Sequence, residues 1–161
     1  MHGASFFEEY VNWFLGGCDF KGTLSFYARP EYADGNECFD GAFAADGRFV
    51  PMEYKGGFLR LDARYPGDAT AFEADLDLKI VKGCQQLARK IQTLFNRREA
   101  KRRPLRDIQL ESITRVIPVL VVQDHILRSP LVNWLLNKKF NRLLDRNQLR
   151  HDVTVDPLTV C

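Results

Sequence analysis

Apolar side chains recur at three- and four-residue steps through residues 5–15, at Phe6, Phe7, Tyr10, Val11, Phe14 and Leu15. That spacing predicts an amphipathic helix. Ser5 followed by Glu8 is a capping-box pattern, and Gly16-Gly17 a stop. "TLSFYARPEY" (23–32) opens as a strand, with Leu24, Phe26 and Ala28 on one side. Two more strands flank Ala45-Asp46-Gly47, and "YPGD" (65–68) is a turn. A long helix follows over about 71–97, with Thr70 and Glu73 as a second capping box. Its apolar stripe is Phe72, Leu76, Ile80, Cys84, Leu87, Ile91 and Leu94 with Phe95. "VIPVLVVQDH" (116–125) has the composition of a buried strand. "PLVNWLLNKKFNRLLDRN" (130–147) is an amphipathic helix, and "DVTVDPLTVC" (152–161) a strand-like tail without a stop signal. The order is helix, three strands, helix, strand, helix, strand. It predicts an α/β domain around a mixed sheet, antiparallel at first and then extended through helical crossovers.

At 161 residues the chain is expected to be a single domain, 1–161, cut from or belonging to a longer protein. Hydrophobic content of 45% and charged content of 27% are ordinary for a soluble protein, and a net charge of +2 selects no partner. The longest apolar run, 116–122, contains Pro118 and is too short to cross a bilayer, so no membrane partner is expected. No secretory leader pattern opens the chain. The cysteines at 18, 38, 84 and 161 form no C-x-x-C pair and no zinc-spaced cluster with histidine. Free or buried thiols in a reducing cytoplasm are the expectation.

Asp46-Gly47 is a type I′ hairpin signal. With those two residues as the loop, Ala45 pairs with Arg48, Asp40 falls opposite Glu53, and Lys55 shares the face of Glu53. Opposed carboxylates about 5 Å apart repel unless a cation lies between them. A hard divalent ion fits that place, Mg²⁺ with Mn²⁺ as the alternative, and the lysine adds charge for an attacking water or a phosphate. Pro51 favours an edge or a bulge. A three-residue loop would instead set Asp40 opposite Met52, on the other face.

The other candidates are fewer. Lys79, Lys82, Gln86 and Lys90 share one polar face of the long helix. Arg97, Arg98, Lys101, Arg102, Arg103 and Arg106 form a basic segment suited to phosphate contact. His2, His125 and His151 have no partner set. There is no G-x-S-x-G elbow and no glycine-rich phosphate loop. Trp13 and Trp134 sit in apolar helical patterns and are expected in the core.

In order and spacing these pieces resemble the PD-(D/E)xK nuclease superfamily. "FFEEYV" matches its F-E-x-x-V spacing through Phe7, Glu8 and Val11, with Glu9 as the alternative. "FDG" supplies Asp40, with Phe39 where the family name has proline, and "MEYKGG" supplies Glu53 and Lys55. "KGCQQLARKI" is similar to the Gln-Leu segment of the crossover helix and brings in Gln86, or Gln85. The likeness covers residues 5–122. It implies a restriction-endonuclease-like core and a metal-dependent nuclease acting on phosphodiester bonds, with DNA the expected substrate. Asp40, Glu53, the Tyr54 carbonyl and Glu8 would hold the metal, Lys55 would position water, and Gln86 a phosphate. Lys79, Lys82, Arg97, Arg98, Lys101, Arg102 and Arg103 would bind nucleic acid. Many such nucleases act as dimers, which leaves a homodimer and further domains open. Two alternatives remain: an inactive nuclease-like binding module, and a plain nucleic-acid-binding domain.

Overall fold

The computed structural model describes residues 3–18, 24–59 and 69–161. The turn expected at 65–68 lies outside them. Helix α1 spans Gly3–Gly16, followed by β1 (Ser25–Ala28), β2 (Gly41–Ala45) and β3 (Arg48–Lys55). Helix α2 (Ala69–Leu76), a π turn (Asp77–Val81) and α3 (Lys82–Leu94) make the crossover. Then come β4 (Arg115–Val116), β5 (Val119–Val122), α4 (Pro130–Leu143), β6 (Thr154–Val155) and β7 (Thr159–Val160). The architecture is α/β, with a mixed, open, seven-stranded sheet and flanking helices. β1, β2 and β3 are antiparallel neighbours; β4 and β5 both run parallel to β3, and β6 and β7 continue parallel beyond them.

The hairpin has the predicted register. Ala45 pairs with Arg48 and Gly41 with Met52, while Asp46 (φ 44°) and Gly47 (φ 75°) take the left-handed conformations of a type I′ turn. Pro51 causes no bulge there. The ladders of β3 with β4 and with β5 share one offset, which sets Pro51 beside Pro118. Neither proline can donate a ladder bond. Both stand level with the break between β4 and β5, where the Ile117 N–H donates to the Phe49 carbonyl and the Thr159 N–H to the Pro118 carbonyl.

The long helix is one predicted element built in three pieces. The apolar stripe advances by three consecutive four-residue steps, from Phe72 to Cys84, and in a regular α-helix these would drift about 120° around the axis. The π turn at Asp77–Val81 takes up about one residue of that drift. Leu76, Ile80, Cys84, Leu87, Ile91 and Leu94 consequently all reach the core. The helix ends at Leu94, earlier than expected, because Asn96 bridges to Leu149 and its Oδ1 accepts the Arg98 N–H. Phe49 meets Phe95 at 6.1 Å between ring centroids, joining β3 to the end of α3.

Two packing expectations fail. The helices α1 and α2 begin at Gly3 and Ala69, so Ser5 and Thr70 lie inside them rather than at their caps. Trp13 is 74% exposed and Trp134 57%, and Phe6, Tyr10 and Phe14 are also exposed. Helix α1 is apolar around most of its circumference, so periodicity alone does not orient it. Its few polar residues do: Asn12 is turned inward onto Tyr54 and Asp40. In β1, similarly, Tyr27 packs against the core while Ala28 is exposed. Cys38 and Cys84 are buried thiols, and Cys18 and Cys161 exposed ones. No helix among the described residues is long and apolar enough to cross a membrane.

Candidate active site

Strand β3 alternates its side chains between two layers. Phe49, Glu53 and Lys55 turn toward α3, and Tyr54 toward α1. Glu53 is only 2% exposed, yet both its oxygens are satisfied: Lys55 Nζ donates to Oε1 at 2.9 Å and Lys90 Nζ to Oε2 at 2.9 Å. Lys55 reaches this position because residue 83 of α3 is glycine. A Cβ there would lie 2.8 Å from Lys55 Cε and 2.9 Å from Leu120 Cδ1.

Asp40 is the next residue outward from Gly41, so the hairpin register carries it to the level of Glu53. Its Oδ2 accepts the Tyr54 N–H at 2.6 Å. Its main-chain carbonyl accepts from Arg29 N–H at 3.2 Å and from Asn12 Nδ2 at 3.0 Å. The Tyr54 hydroxyl donates to Asn12 Oδ1 at 3.0 Å, closing a loop through α1, β2 and β3. Gly41 lets that hydroxyl pass, since a Cβ would stand 2.2 Å from it.

Charge is only partly balanced here. Burial, and then the Glu53 carboxylate, push the Asp40 carboxyl up to about 6 against the pull of the Tyr54 N–H, Lys55 and Lys90. Burial also raises Glu8, with Lys55 and Arg29 opposing and Glu37 and Glu53 adding to the rise. Glu8 therefore shares the field of Lys55 and Glu53, whereas Glu9 is exposed. Burial raises the Tyr54 phenol, and it pushes the Cys38 thiol up to about 12.

The oxygen donors present suit a hard cation. Asp40 Oδ2 holds the Tyr54 N–H, and its Oδ1 could serve as a ligand. In a strand the N–H and C=O of one residue leave the same edge, so the Tyr54 carbonyl is directed toward Asp40 as well. A divalent ion there would offset the burial and, after it, the Glu53 repulsion that raise Asp40. Glu53 could join only by exchanging a lysine bond for a metal bond. Among the described residues no three His, Cys, Asp or Glu side chains gather as a metal cage.

The remaining candidates separate into engaged and open groups. Gln86 lies between Gly83 and Lys90 on the face of α3 turned to β3, and its buried Oε1 has no hydrogen-bond partner among the described residues. Gln85 is exposed. Lys79 is tied to Asp75 and to the Phe58 carbonyl, and Lys82 is exposed. Arg102 is held by the Asn96 carbonyl and Glu99, Arg103 by Asp34 and the Tyr32 ring, and Arg106 by Glu31. Arg97, Arg98 and Lys101 are exposed.

Lys90, Asn12, Arg29 and Gly83 belong to the site without having been assigned a role in it from sequence. Lys90 stands on the polar face read from the sequence, but its partner on β3 was not legible. Asn12 follows Glu8 by one helical turn, a polar pair in an apolar helix that is a usable signal. Comparison with family models, with curated proteins and with solved structures returns no match.

Proposed function

We propose that this protein is a metal-dependent nuclease that hydrolyses phosphodiester bonds, with DNA as the expected substrate. The observation that carries the reading is the buried Glu53 clamped by Lys55 and Lys90 beside Asp40, a carboxyl pushed up to about 6. Such imbalance costs stability and marks functional sites more often than scaffolds. The order of one helix, three antiparallel strands, a crossover helix and a parallel strand supports a PD-(D/E)xK-like core.

Asp40, Glu53 and the Tyr54 carbonyl would hold Mg²⁺ or Mn²⁺, with Glu8 supporting the shell from α1. The ion supplies Lewis acidity and lowers the pKa of bound water. The chain's own groups do the rest. Lys55 holds the attacking water and faces the negative charge that builds on the phosphate oxygens. Gln86 offers its amide to the same phosphate. Water adds to phosphorus, the bond to the leaving sugar oxygen breaks, and the products are a phosphate monoester and a hydroxyl.

A second reading, a nuclease-like module that binds without cutting, draws on one observation. Both Glu53 oxygens already have lysine partners, which leaves fewer ready metal ligands. Cleavage of single- and double-stranded DNA and of RNA, in Mg²⁺, Mn²⁺ and chelator, separates the two. Metal-dependent cutting is expected, falling by at least 100-fold in Asp40→Ala and in Lys55→Ala. A folded wild-type protein that cuts none of these and shows no metal binding by calorimetry would sink the nuclease reading in favour of the second.

A further inference from the structure

The basic segment divides by what its cations already touch. Arg102, Arg103 and Arg106 each have an acidic partner in the fold. Arg97, Arg98 and Lys101 are exposed and have no ion pair among the described residues. These three line one side of a pocket of about 290 Å³, and Asn147 and Gln148 line the other. The pocket is built rather than incidental. Asn96 is buried, and its Oδ1 and main-chain carbonyl fix the Arg98 N–H and the Arg102 guanidinium. The Arg97 N–H donates to the Gln148 carbonyl at 2.7 Å, locking the two walls together. Asp145 also borders the pocket, but its oxygens are bonded to the Asn147 N–H and the Gln148 amide. Three cations against that one engaged carboxylate leave the pocket positive.

We propose that this pocket binds a backbone phosphate of nucleic acid, as a second contact apart from the reacting one. The inference rests on the nucleic-acid side of the reading above. Guanidinium and amide donors around an open cavity match phosphate oxygens, and they carry no base-reading geometry. Lys90 at the acid pair lies within α3, and Arg97 at the pocket follows the end of that helix at Leu94. The pocket would hold the strand at a point separate from the bond at Asp40 and so help set where it lies.

The test is binding of labelled duplex and single-stranded DNA by fluorescence anisotropy, in chelator and over a salt series. The triple variant Arg97→Gln/Arg98→Gln/Lys101→Gln is expected to bind at least ten-fold more weakly. Its slope of log K against log salt should flatten by about two to three. Arg106→Gln, paired to Glu31 outside the pocket, is expected to change affinity less than two-fold. The single reversal Arg98→Glu should move affinity in the same direction as the triple variant if the latter fails to fold. Affinity and slope within two-fold of wild type overturn the proposal, as does equal weakening for polyglutamate and DNA. The two readings fail separately: wild-type protein that cuts nothing but loses binding in the triple variant sinks only the nuclease, and a cutting enzyme whose triple variant binds normally sinks only the pocket.

Discussion

Gly41 is hemmed in by Tyr54 and by Met52, whose Cε would stand 3.1 Å from a Cβ there. A methyl group on it would meet the Tyr54 hydroxyl at 2.2 Å, and that hydroxyl is fixed by Asn12. Gly41→Ala should cost about 1–3 kcal/mol, as overpacking does in a closed core. Tyr54→Phe removes the nearest of the crowding atoms and leaves the ring carbon and Met52 Cε at 3.1 Å. In that background the same glycine substitution should cost at least 1 kcal/mol less, measured as a double-mutant cycle by chemical denaturation. Strictly additive costs would mean that the hydroxyl is not what excludes a side chain at residue 41. The same pair of residues shows what sequence could and could not carry. Strand alternation and the Asp46-Gly47 turn place Asp40, Glu53 and Lys55 by counting alone. Asn12 and Lys90 reach the site through the angle of a helix against a sheet, and no spacing within one element encodes that.

The crossover helix makes the point for whole elements. Its type and most of its apolar stripe were readable, and so was the polar face bearing Gln86. The π turn was present only as a subtle excess of four-residue steps between Phe72 and Cys84. Deleting Leu78, which is 73% exposed, should convert the π turn to α-helix and rotate α2 by about 100° relative to α3. Leu76, 1% exposed in the native packing, would leave the core, and the unfolding free energy should fall by about 2 kcal/mol or more. Leu78→Ala, which keeps the register, should change it by less than about 0.5 kcal/mol. A deletion variant as stable as wild type would show that the turn does not hold the phase. The strands were legible in a similar, partial way. The apolar run at 116–122 was one strand in the sequence and is two in the fold, because Pro118 and Pro51 share one gap.

Across the whole molecule, the uncompensated charge at Asp40 should be visible in the pH dependence of folding. Its carboxyl stands at about 6 in the fold against an ordinary 3.8 when unfolded. Between those values the native state binds more protons than the unfolded chain, so this group lowers stability as pH rises from about 4 through 6. Above that window the ionised, buried carboxylate burdens the fold by about 3 kcal/mol. Asp40→Asn keeps an oxygen for the Tyr54 N–H and removes the charge. The variant should therefore be more stable than wild type at pH 7.5, and its advantage should shrink as pH falls to 4, as measured by denaturant titration at each pH. A variant that is less stable at pH 7.5, or equally advantaged at every pH, would mean that Lys55 and Lys90 already neutralise Asp40. The sign separates two kinds of carboxylate. One kept for the fold is stabilised by its neighbours and makes its loss costly. One kept in spite of the fold is retained for something that binds it, and Mg²⁺ should then raise the melting temperature of wild type at pH 7.5 while leaving that of Asp40→Asn nearly unchanged.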